Sequence, residues 1–298
     1  MSTKPLVALL GLGTMGAGMA HQLLGAGFPL KLFNRSPERY RAFEGSPVQL
    51  CKSPAEAVSG ADIVISMVSD DNVSRMIWQG PGGALSAVSP GALMVESSTL
   101  SLGWVRELAG LSKSLACDFL DAPVTGSKDQ AETGKLKFLV GGDTAAIEKA
   151  RPVFSVMGTD IMALGPVGSG TTLKLVNNFI CGVQVAALAE GLSVLSRCDL
   201  DHDAALAVLI KGAIGSPLVQ TIMARVMAGN FAPNFSVALI EKDLGYAICE
   251  GAKAGIDLLS AEAARMRFQQ VQSAGFGDRD IAFLVNWLRD PSNNARTQ

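Results

Sequence analysis

The chain has 298 residues, of which 48% are hydrophobic and 17% are charged, and its 25 basic and 27 acidic residues leave a formal net charge of −2. This length fits two domains of ordinary size, each with its own core. Nucleic acids and anionic membranes require a concentrated basic face on their partner, and the sequence has no long run of either sign, so we expect neither as a partner.

Two features of the sequence bear on its cellular location and on metals. The N-terminal stretch MSTKPLVALLGLGTMG lacks the charged region and long apolar segment of a secretory signal, so we expect a cytoplasmic protein. The five cysteines are scattered without a C-x-x-C spacing, which predicts reduced, mostly buried thiols. The only histidines are His21 and His202, so we expect no metal site.

Short apolar runs alternate with helical patterns in the first part of the chain. This alternation predicts an α/β domain with a Rossmann-type, doubly wound sheet of parallel strands joined by crossover helices. We expect the domain to end near Gly165. The apolar runs are residues 6–11, 29–33, 48–51, 62–68, 92–97, 117–122, 136–142 and 160–164.

The pattern changes after Gly168, where only long helical stretches follow. We therefore predict two domains, 1–165 and 166–298, the second all-helical and joined to the first by a long helix over about 169–195. That segment is nearly long enough and apolar enough to span a bilayer, but the charged and amide side chains inside it argue against a membrane helix. We expect its apolar surface to be covered by its own domain or by another subunit.

The motif GLGTMG spans Gly11, Gly13 and Gly16 in a G-x-G-x-x-G pattern, with Thr14 and Met15 between the last two glycines. In a glycine-rich chain the pattern alone is weak. Here it follows an apolar run and opens a helical pattern, which is the context of a dinucleotide-binding turn. The alternative is a tight strand-to-helix turn without a ligand.

The next predicted strand ends in Asn34, Arg35 and Ser36. NAD enzymes usually have an acidic residue near this point for the ribose 2′-hydroxyl. Donors and a fixed positive charge suit a 2′-phosphate instead, which favours NADPH. The alternative is that Arg35 is a solvated surface residue.

Lys174 begins a polar group on an otherwise apolar helical segment. Asn177 and Asn178 follow at i+3 and i+4, so the three side chains share one helical face. The residues alone leave two interpretations open: they satisfy loop carbonyls at the domain junction, or they do chemistry. A lysine beside a carbonyl that accepts a hydride could stabilise the growing negative charge and donate a proton.

The turn DAPVTGS follows the apolar run around residues 117–120. Gly126 permits close approach of a ligand to the backbone, and Thr125 and Ser127 add hydroxyl groups, a combination that suits a carboxylate. The alternative is an ordinary Pro/Gly turn. Lys242 and Asp243 could likewise be a surface charge pair, and Phe235 a core residue.

Four blocks in fixed order resemble the β-hydroxyacid dehydrogenases, the family of 3-hydroxyisobutyrate dehydrogenase, and in type most of all glyoxylate/succinic semialdehyde reductase. The blocks are GLGTMGAGMA (11–20), DAPVTGS (121–127), GSGTTLKLVNN (168–178) and NFSVALIEKDLGYA (234–247). The resemblance covers nearly the whole chain. It implies a homodimer or homotetramer.

The resemblance also implies roles for individual residues. Lys174 matches the catalytic lysine of the family, and Asn178 matches an asparagine that contacts the substrate. The remaining matched residues are Thr99 beside the nicotinamide, Met67 and Val68 near the cofactor, Lys242 and Asp243 near the cofactor and active site, and Phe235 as an aromatic wall over the substrate.

The implied function is NADPH-dependent reduction of a small aldehyde or ketone that bears a carboxylate, with Lys174 as general acid. One alternative is NAD(P)-dependent oxidation of 3-hydroxyisobutyrate or of a sugar acid such as glycerate or threonate. A second alternative is a non-catalytic cofactor-binding module, against which the presence of both Lys174 and Asn178 argues.

Overall fold

The computed structural model describes residues 4–290, which fall into two compact units, one up to Lys174 and one from Leu175 onward. Residues 1–3 and 291–298, at the outer ends of the predicted domains, lie outside the described residues. The first unit ends a little after the predicted boundary at 165/166, because the long predicted helix contributes its first turns to it.

The described part of the first unit contains a sheet of nine strands, and each of the eight predicted apolar runs overlaps one of them. The strands are β1 (Val7–Leu10), β2 (Leu30–Phe33), β3 (Gln49–Cys51), β4 (Ile63–Ser66), β5 (Leu93–Glu96), β6 (Asp118–Asp121), β7 (Val124–Thr125), β8 (Leu136–Gly141) and β9 (Gly158–Gly165).

The first six strands are parallel in the order β3-β2-β1-β4-β5-β6, so the chain builds outward in one direction from β1 and then restarts on its other side at β4. This reversal between β1 and β4 is the point where doubly wound sheets bind ligands. The expectation that all strands run parallel is wrong for β8 and β9. β8 pairs antiparallel with β6 and β7, because the chain reverses between β7 and β8 instead of crossing over the sheet, and β9 pairs parallel with β8.

Helices cover both faces of this sheet. Side chains of β1 alternate between two apolar cores: Val7 and Leu9 enter one, and Ala8 and Leu10 enter the other. The helices of the first unit are α1 (Thr14–Gly25), α2 (Pro54–Val58), α3 (Asp71–Gln79), α4 (Leu102–Ser114), α5 (Lys128–Glu132) and α6 (Thr144–Met157), and the long α7 (Ser169–Leu195) begins there.

Local sequence explains where several of these helices begin. Ser53, Asp70 and Ser101 stand just before α2, α3 and α4, and each side chain accepts a hydrogen bond from a first-turn N–H. Pro54 at the first position of α2 has no N–H to satisfy.

The described part of the second unit is helical and packs around its own apolar core, as the sequence predicted. Ser216 and Ser236 cap two of its helices. The helices after α7 are α8 (His202–Lys211), α9 (Pro217–Met227), α10 (Val237–Lys253), α11 (Leu259–Val271) and α12 (Phe283–Arg289).

Helix α7 confirms the predicted span but is not covered on all sides by its own chain. By length and composition it could cross a membrane, yet only 39% of its most apolar window is buried. Leu173, Val176 and Ile180 are between 38% and 48% exposed. The cysteines also depart from expectation, since only Cys51 and Cys117 are buried.

Candidate active site

The glycine turn after β1 is built from three glycines with different roles. Gly11 has a φ of +107°, and a Cβ there would lie 2.2 Å from the carbonyl oxygen of Met67. A Cβ on Gly16 would lie 2.0 Å from the carbonyl oxygen of Gly11. The turn itself therefore requires both residues. A Cβ on Gly13 would meet nothing within 4 Å, so the backbone there is open to a ligand.

Helix α1 begins directly after this open glycine, with Thr14 exposed and Met15 half-buried against the core. Gly13 has no side chain, so the first N–H groups of α1 have no side-chain cap. Unpaired N–H groups at a helix N-terminus beside open backbone form an anion site. The turn thus fits the pyrophosphate of a dinucleotide.

The end of β2 is held against the glycine turn by Asn34. Its Oδ1 accepts the N–H of Leu12 at 2.8 Å, and its Nδ2 donates to the carbonyl oxygen of Ser36 at 3.0 Å. The hydroxyl of Tyr40 contacts the backbone N–H of Asn34 at 2.8 Å. The Asn34 amide therefore shapes this loop, whereas Arg35 is exposed.

The carboxyl ends of β4 and β5 lie side by side and carry residues predicted to lie near the cofactor. Met67 and Val68 follow β4 and are half-buried, and Thr99 follows β5 and is also half-buried. The N–H of Val68 donates to the Ser98 hydroxyl at 2.8 Å, which joins the two loops.

The turn after β6 combines open backbone with a hydroxyl that is already hydrogen-bonded. Gly126 is exposed and has a φ of +120°, a conformation that favours glycine. Thr125 is half-buried. The Ser127 hydroxyl donates to Oε1 of Gln130 at 2.6 Å, so its proton is used to begin α5 and only its lone pairs remain for a ligand.

Asp121, the last residue of β6, fastens this turn to the start of α7. Its Oδ1 accepts the N–H of Gly168 at 2.7 Å, and its Oδ2 accepts the N–H and hydroxyl of Thr171 at 2.7 and 2.9 Å. Close packing needs small residues nearby, since a Cβ on Gly170 would lie 2.1 Å from the carbonyl oxygen of Leu139. Asp121 thereby sets the position of the first turns of α7.

Lys174 lies one turn after Thr171 and is half-buried, whereas its neighbour Leu175 is buried. Asn178 follows four residues later in the same helix, so both side chains share one face of α7. The neighbouring Asn177 is exposed. Lys174, Asn177 and Asn178 lie on one continuous helix, and their role at a site stays a prediction.

In the second unit, Asn178 belongs to a buried polar chain. Its Nδ2 donates to Oδ2 of Asp243 at 2.6 Å, and Nδ2 of Asn177 donates to Oδ1 of Asn178 at 3.0 Å. The ammonium group of Lys242 lies 2.9 Å from Oδ1 of Asp243, and both side chains are largely buried. Lys242 and Asp243 are thus a buried ion pair rather than a surface one.

Phe235 is half-buried and packs against the apolar core of the second unit. Its N–H donates to Oδ2 of the buried Asp280 at 3.1 Å, as does the N–H of Asn234 at 3.0 Å. Asp280 also accepts from Nε of Arg225 at 3.1 Å. The segment that holds Phe235 is therefore fixed by a carboxylate that the sequence did not single out.

Sequence reasoning also missed two buried carboxyl groups of the first unit, Glu96 and Asp121. Both end a strand that leads into a predicted site loop, and that position was the only sign of their importance. Burial raises the pKa of both groups, and hydrogen bonds oppose that shift.

Two sequence-family profiles match most of the chain. Residues 6–165 match the NAD binding domain of 6-phosphogluconate dehydrogenase, and residues 168–288 match the profile described as NAD-binding of NADP-dependent 3-hydroxyisobutyrate dehydrogenase. The 2-(hydroxymethyl)glutarate dehydrogenase of Eubacterium barkeri is 31% identical over 280 residues, 94% of this chain and 93% of that protein. The chain belongs to the β-hydroxyacid dehydrogenase family.

A solved member of the family has the same fold. The structure of 3-hydroxyisobutyrate dehydrogenase from Mycobacterium tuberculosis with L-serine has a TM-score of 0.86 and 31% identity, over 96% of this chain and 100% of that chain. Human cytokine-like nuclear factor N-PAC is also 31% identical over 280 residues, 94% of this chain but 51% of that protein. The activity of the family is NAD(P)-dependent oxidoreduction of β-hydroxy acids, and the two profiles assign a nicotinamide cofactor to this chain.

Proposed function

We propose that the protein is an NADPH-dependent reductase of small carboxylates that bear an aldehyde or ketone, of the glyoxylate or succinic semialdehyde type, with the reverse oxidation also accessible. The proposal rests above all on Asp121, which fastens the helix turn before Lys174 to the strand that leads into the Thr125–Ser127 turn. A proton donor and a carboxylate-binding turn are thereby linked within one unit.

Each residue has a distinct task in this reaction. The cofactor, when bound, supplies a hydride to the carbonyl carbon. The ammonium group of Lys174 stabilises the negative charge that grows on the carbonyl oxygen and donates a proton to it, which yields the hydroxy acid. The Thr125 hydroxyl and the backbone at Gly126 bind the carboxylate. Asn178, on the Lys174 face of α7, contacts the substrate through the Nδ2 hydrogen that Asp243 does not accept.

The preference for NADPH is supported by the end of β2. Arg35 is exposed there, and a guanidinium group pairs well with a 2′-phosphate. The Asn34 amide is already bonded to the glycine turn, so Arg35 supplies the charge while Asn34 and Ser36 shape the loop.

Two relatives favour a second candidate substrate class. The compound after which the Eubacterium barkeri enzyme is named and the L-serine that accompanies the solved Mycobacterium tuberculosis enzyme are both carboxylic acids with a primary alcohol on the β-carbon. The second candidate is therefore oxidation of a 2-substituted 3-hydroxypropanoate, such as 3-hydroxyisobutyrate, to the aldehyde.

We further propose a cytoplasmic homo-oligomer without nucleic acid or membrane partners. Exposed apolar residues on α7 recur at positions 173, 176 and 180, the spacing of one helical face. A second copy of the chain packed against this face would remove these apolar side chains from water.

The decisive experiment follows NADPH consumption by wild type and Lys174→Ala across semialdehydes and 2-oxo acids, and NADP⁺ reduction with β-hydroxy acids. We expect Lys174→Ala to lower kcat by about 10²- to 10⁴-fold, the usual contribution of a general acid, and to leave NADPH affinity unchanged. Lys113→Ala, at an exposed position near the end of α4, is the matched control and should behave as wild type.

Retained turnover in Lys174→Ala would contradict the role of the lysine. A clear preference of wild type for NADH would contradict the role of Arg35. Binding of NADPH without turnover of any acid would instead favour a non-catalytic module.

A further inference from the structure

The side chain of Glu96, at the carboxyl end of β5, is the centre of a buried polar network that no step of the proposed reaction uses. Glu96 is 1% exposed. Its Oε2 accepts hydrogen bonds from the Ser74 hydroxyl at 2.9 Å and from Nε1 of Trp78 at 2.8 Å. Its Oε1 accepts the N–H of Ser98 at 3.1 Å.

This network joins elements that are far apart in the chain. Ser74 and Trp78 belong to α3, which follows β4, and Nε1 of Trp104 on α4 donates to the Ser74 hydroxyl at 2.8 Å. On the other side, the Ser98 hydroxyl accepts the N–H of Val68. Glu96 therefore holds the loop after β5 to the loop after β4, and both loops to the helices behind them.

The order of the sheet places these loops on one particular half of the dinucleotide site. The glycine turn after β1 fits the pyrophosphate, and the end of β2 is where such sheets bind the adenosine ribose. Since β4 and β5 lie on the opposite side of β1 from β2, the nicotinamide half extends toward Val68 and Ser98.

Stability does not explain a carboxyl group at this position. Removing a carboxylate from water is costly, and an apolar side chain of similar volume would usually stabilise a core at least as well. Two more buried hydroxyls, those of Ser66 and Ser97, lie at the same strand ends without a hydrogen-bond partner among the described residues. These buried polar groups, the Glu96 network and the two serine hydroxyls, are thus concentrated beneath the loops that face the cofactor.

We propose that Glu96 is a positioning residue for the nicotinamide half of the cofactor. It does not touch the cofactor itself. Through the Ser98 N–H and the Ser98 hydroxyl it fixes the backbone of Val68 and of the Ser98–Thr99 loop, against which the nicotinamide ring packs. The inference rests on the nicotinamide cofactor of the proposed function and is independent of the acid substrate and of Lys174.

The test compares binding of the whole cofactor with binding of its adenosine half. Dissociation constants of NADPH and of 2′,5′-ADP are measured by calorimetry for wild type and Glu96→Gln. In the variant an N–H₂ group faces either the Trp78 N–H or the Ser98 N–H, so the link from α3 through residue 96 to the Ser98 loop is broken at one of its two ends. We expect the Kd of NADPH to rise about tenfold, the effect of one lost hydrogen bond to a charged group, and that of 2′,5′-ADP to change less than about twofold.

Two further variants sharpen the comparison. Ser98→Ala removes the hydroxyl between Glu96 and Val68 and should show the same selective loss, even if Glu96→Gln folds poorly. Asp62→Asn is the matched control, because Asp62 lies at the opposite end of β4, where its Oδ2 accepts the N–H of Leu6 at 2.8 Å. It should change neither constant.

Equal weakening of NADPH and 2′,5′-ADP in Glu96→Gln and Ser98→Ala would show a general structural effect and overturn the proposal. Unchanged NADPH affinity in both variants would overturn it as well. Because no acid substrate enters the measurement, a wild-type chain that binds NADPH but turns over no acid contradicts only the proposed function.

Discussion

At the scale of single residues, the geometry around Lys174 depends on Asp121 more than on the residues next to the lysine in sequence. The Asp121 side chain is buried and receives three hydrogen bonds from the start of α7. A buried acceptor that loses its partners has no water to replace them, so the contact is costly to break. Asp121 acts as a positioning residue through the backbone of α7.

We expect Asp121→Asn to lower the free energy of unfolding by about 1–3 kcal/mol, because its N–H₂ group would oppose an N–H of Gly168 or Thr171. A shift of α7 by about 1 Å would also reduce kcat about a hundredfold. Urea unfolding and steady-state kinetics measure the two effects. Thr171→Val removes only the hydroxyl bond and should cost about 1 kcal/mol. Wild-type stability and turnover in Asp121→Asn would refute this role.

The sequence singled out residue types that suit the proposed chemistry, but it could not predict their partners. Arg35 and Lys174 stand out because their charge is unusual at their positions. The function of Glu96 depends on Ser74 and Trp78, which are about twenty residues away and come close only when α3 packs on the sheet. Asn34 shows the same limit, since its amide binds the glycine turn instead of pointing outward.

At the scale of elements, the strand-turn-helix unit of β1 and α1 separates glycines that the fold needs from those it does not. A Cβ on Gly16 would overlap the carbonyl oxygen of Gly11, whereas a Cβ on Gly25, at the end of α1, would meet nothing within 4 Å. Gly16 and Gly25 are glycines in the same helix. They therefore form a matched pair for mutation.

We expect Gly16→Ala to destabilise the first unit and to abolish cofactor binding, because the turn must open to admit the methyl group. Gly25→Ala should keep cofactor affinity and stabilise the protein by about 0.4–1 kcal/mol, since alanine restricts the unfolded chain and favours the helix. Thermal unfolding with and without NADPH measures both. Equal behaviour of the two variants would be incompatible with the packing at Gly16.

Apolar runs and turn residues were sufficient to predict eight of the strands and the long α7. They were not sufficient for β7, because two residues are too few to show a periodic pattern. The direction of β8 and β9 was also missed. A buried strand has the same apolar run whether it is parallel or antiparallel, and only the reversal of the chain between β7 and β8 decides it.

At the scale of the whole molecule, the predicted site residues fall in both units. The first contains the glycine turn, the carboxylate-type turn and Lys174, and the second contains the buried chain from Asn178 through Asp243 to Lys242. Among the described helices, only α7 runs through both units. A shift of this helix along its length therefore moves Lys174 and Asn178 together. A contact that covers the exposed apolar face of α7 would thus affect both residues.

The exposed residues Leu173, Val176 and Ile180 point about 150° away from the face that carries Lys174 and Asn178, at roughly 100° per residue. Association through these exposed apolar residues would thus leave the face with Lys174 and Asn178 accessible.

We expect light scattering of wild type to give at least twice the mass of one chain, and Ile180→Glu to shift that mass toward the monomer, because a charge would be buried in an apolar contact. Met76→Glu, at a similarly exposed apolar position on α3, should keep the wild-type mass. A monomeric wild type, or an unchanged mass in Ile180→Glu, would mean that something other than a second copy covers α7.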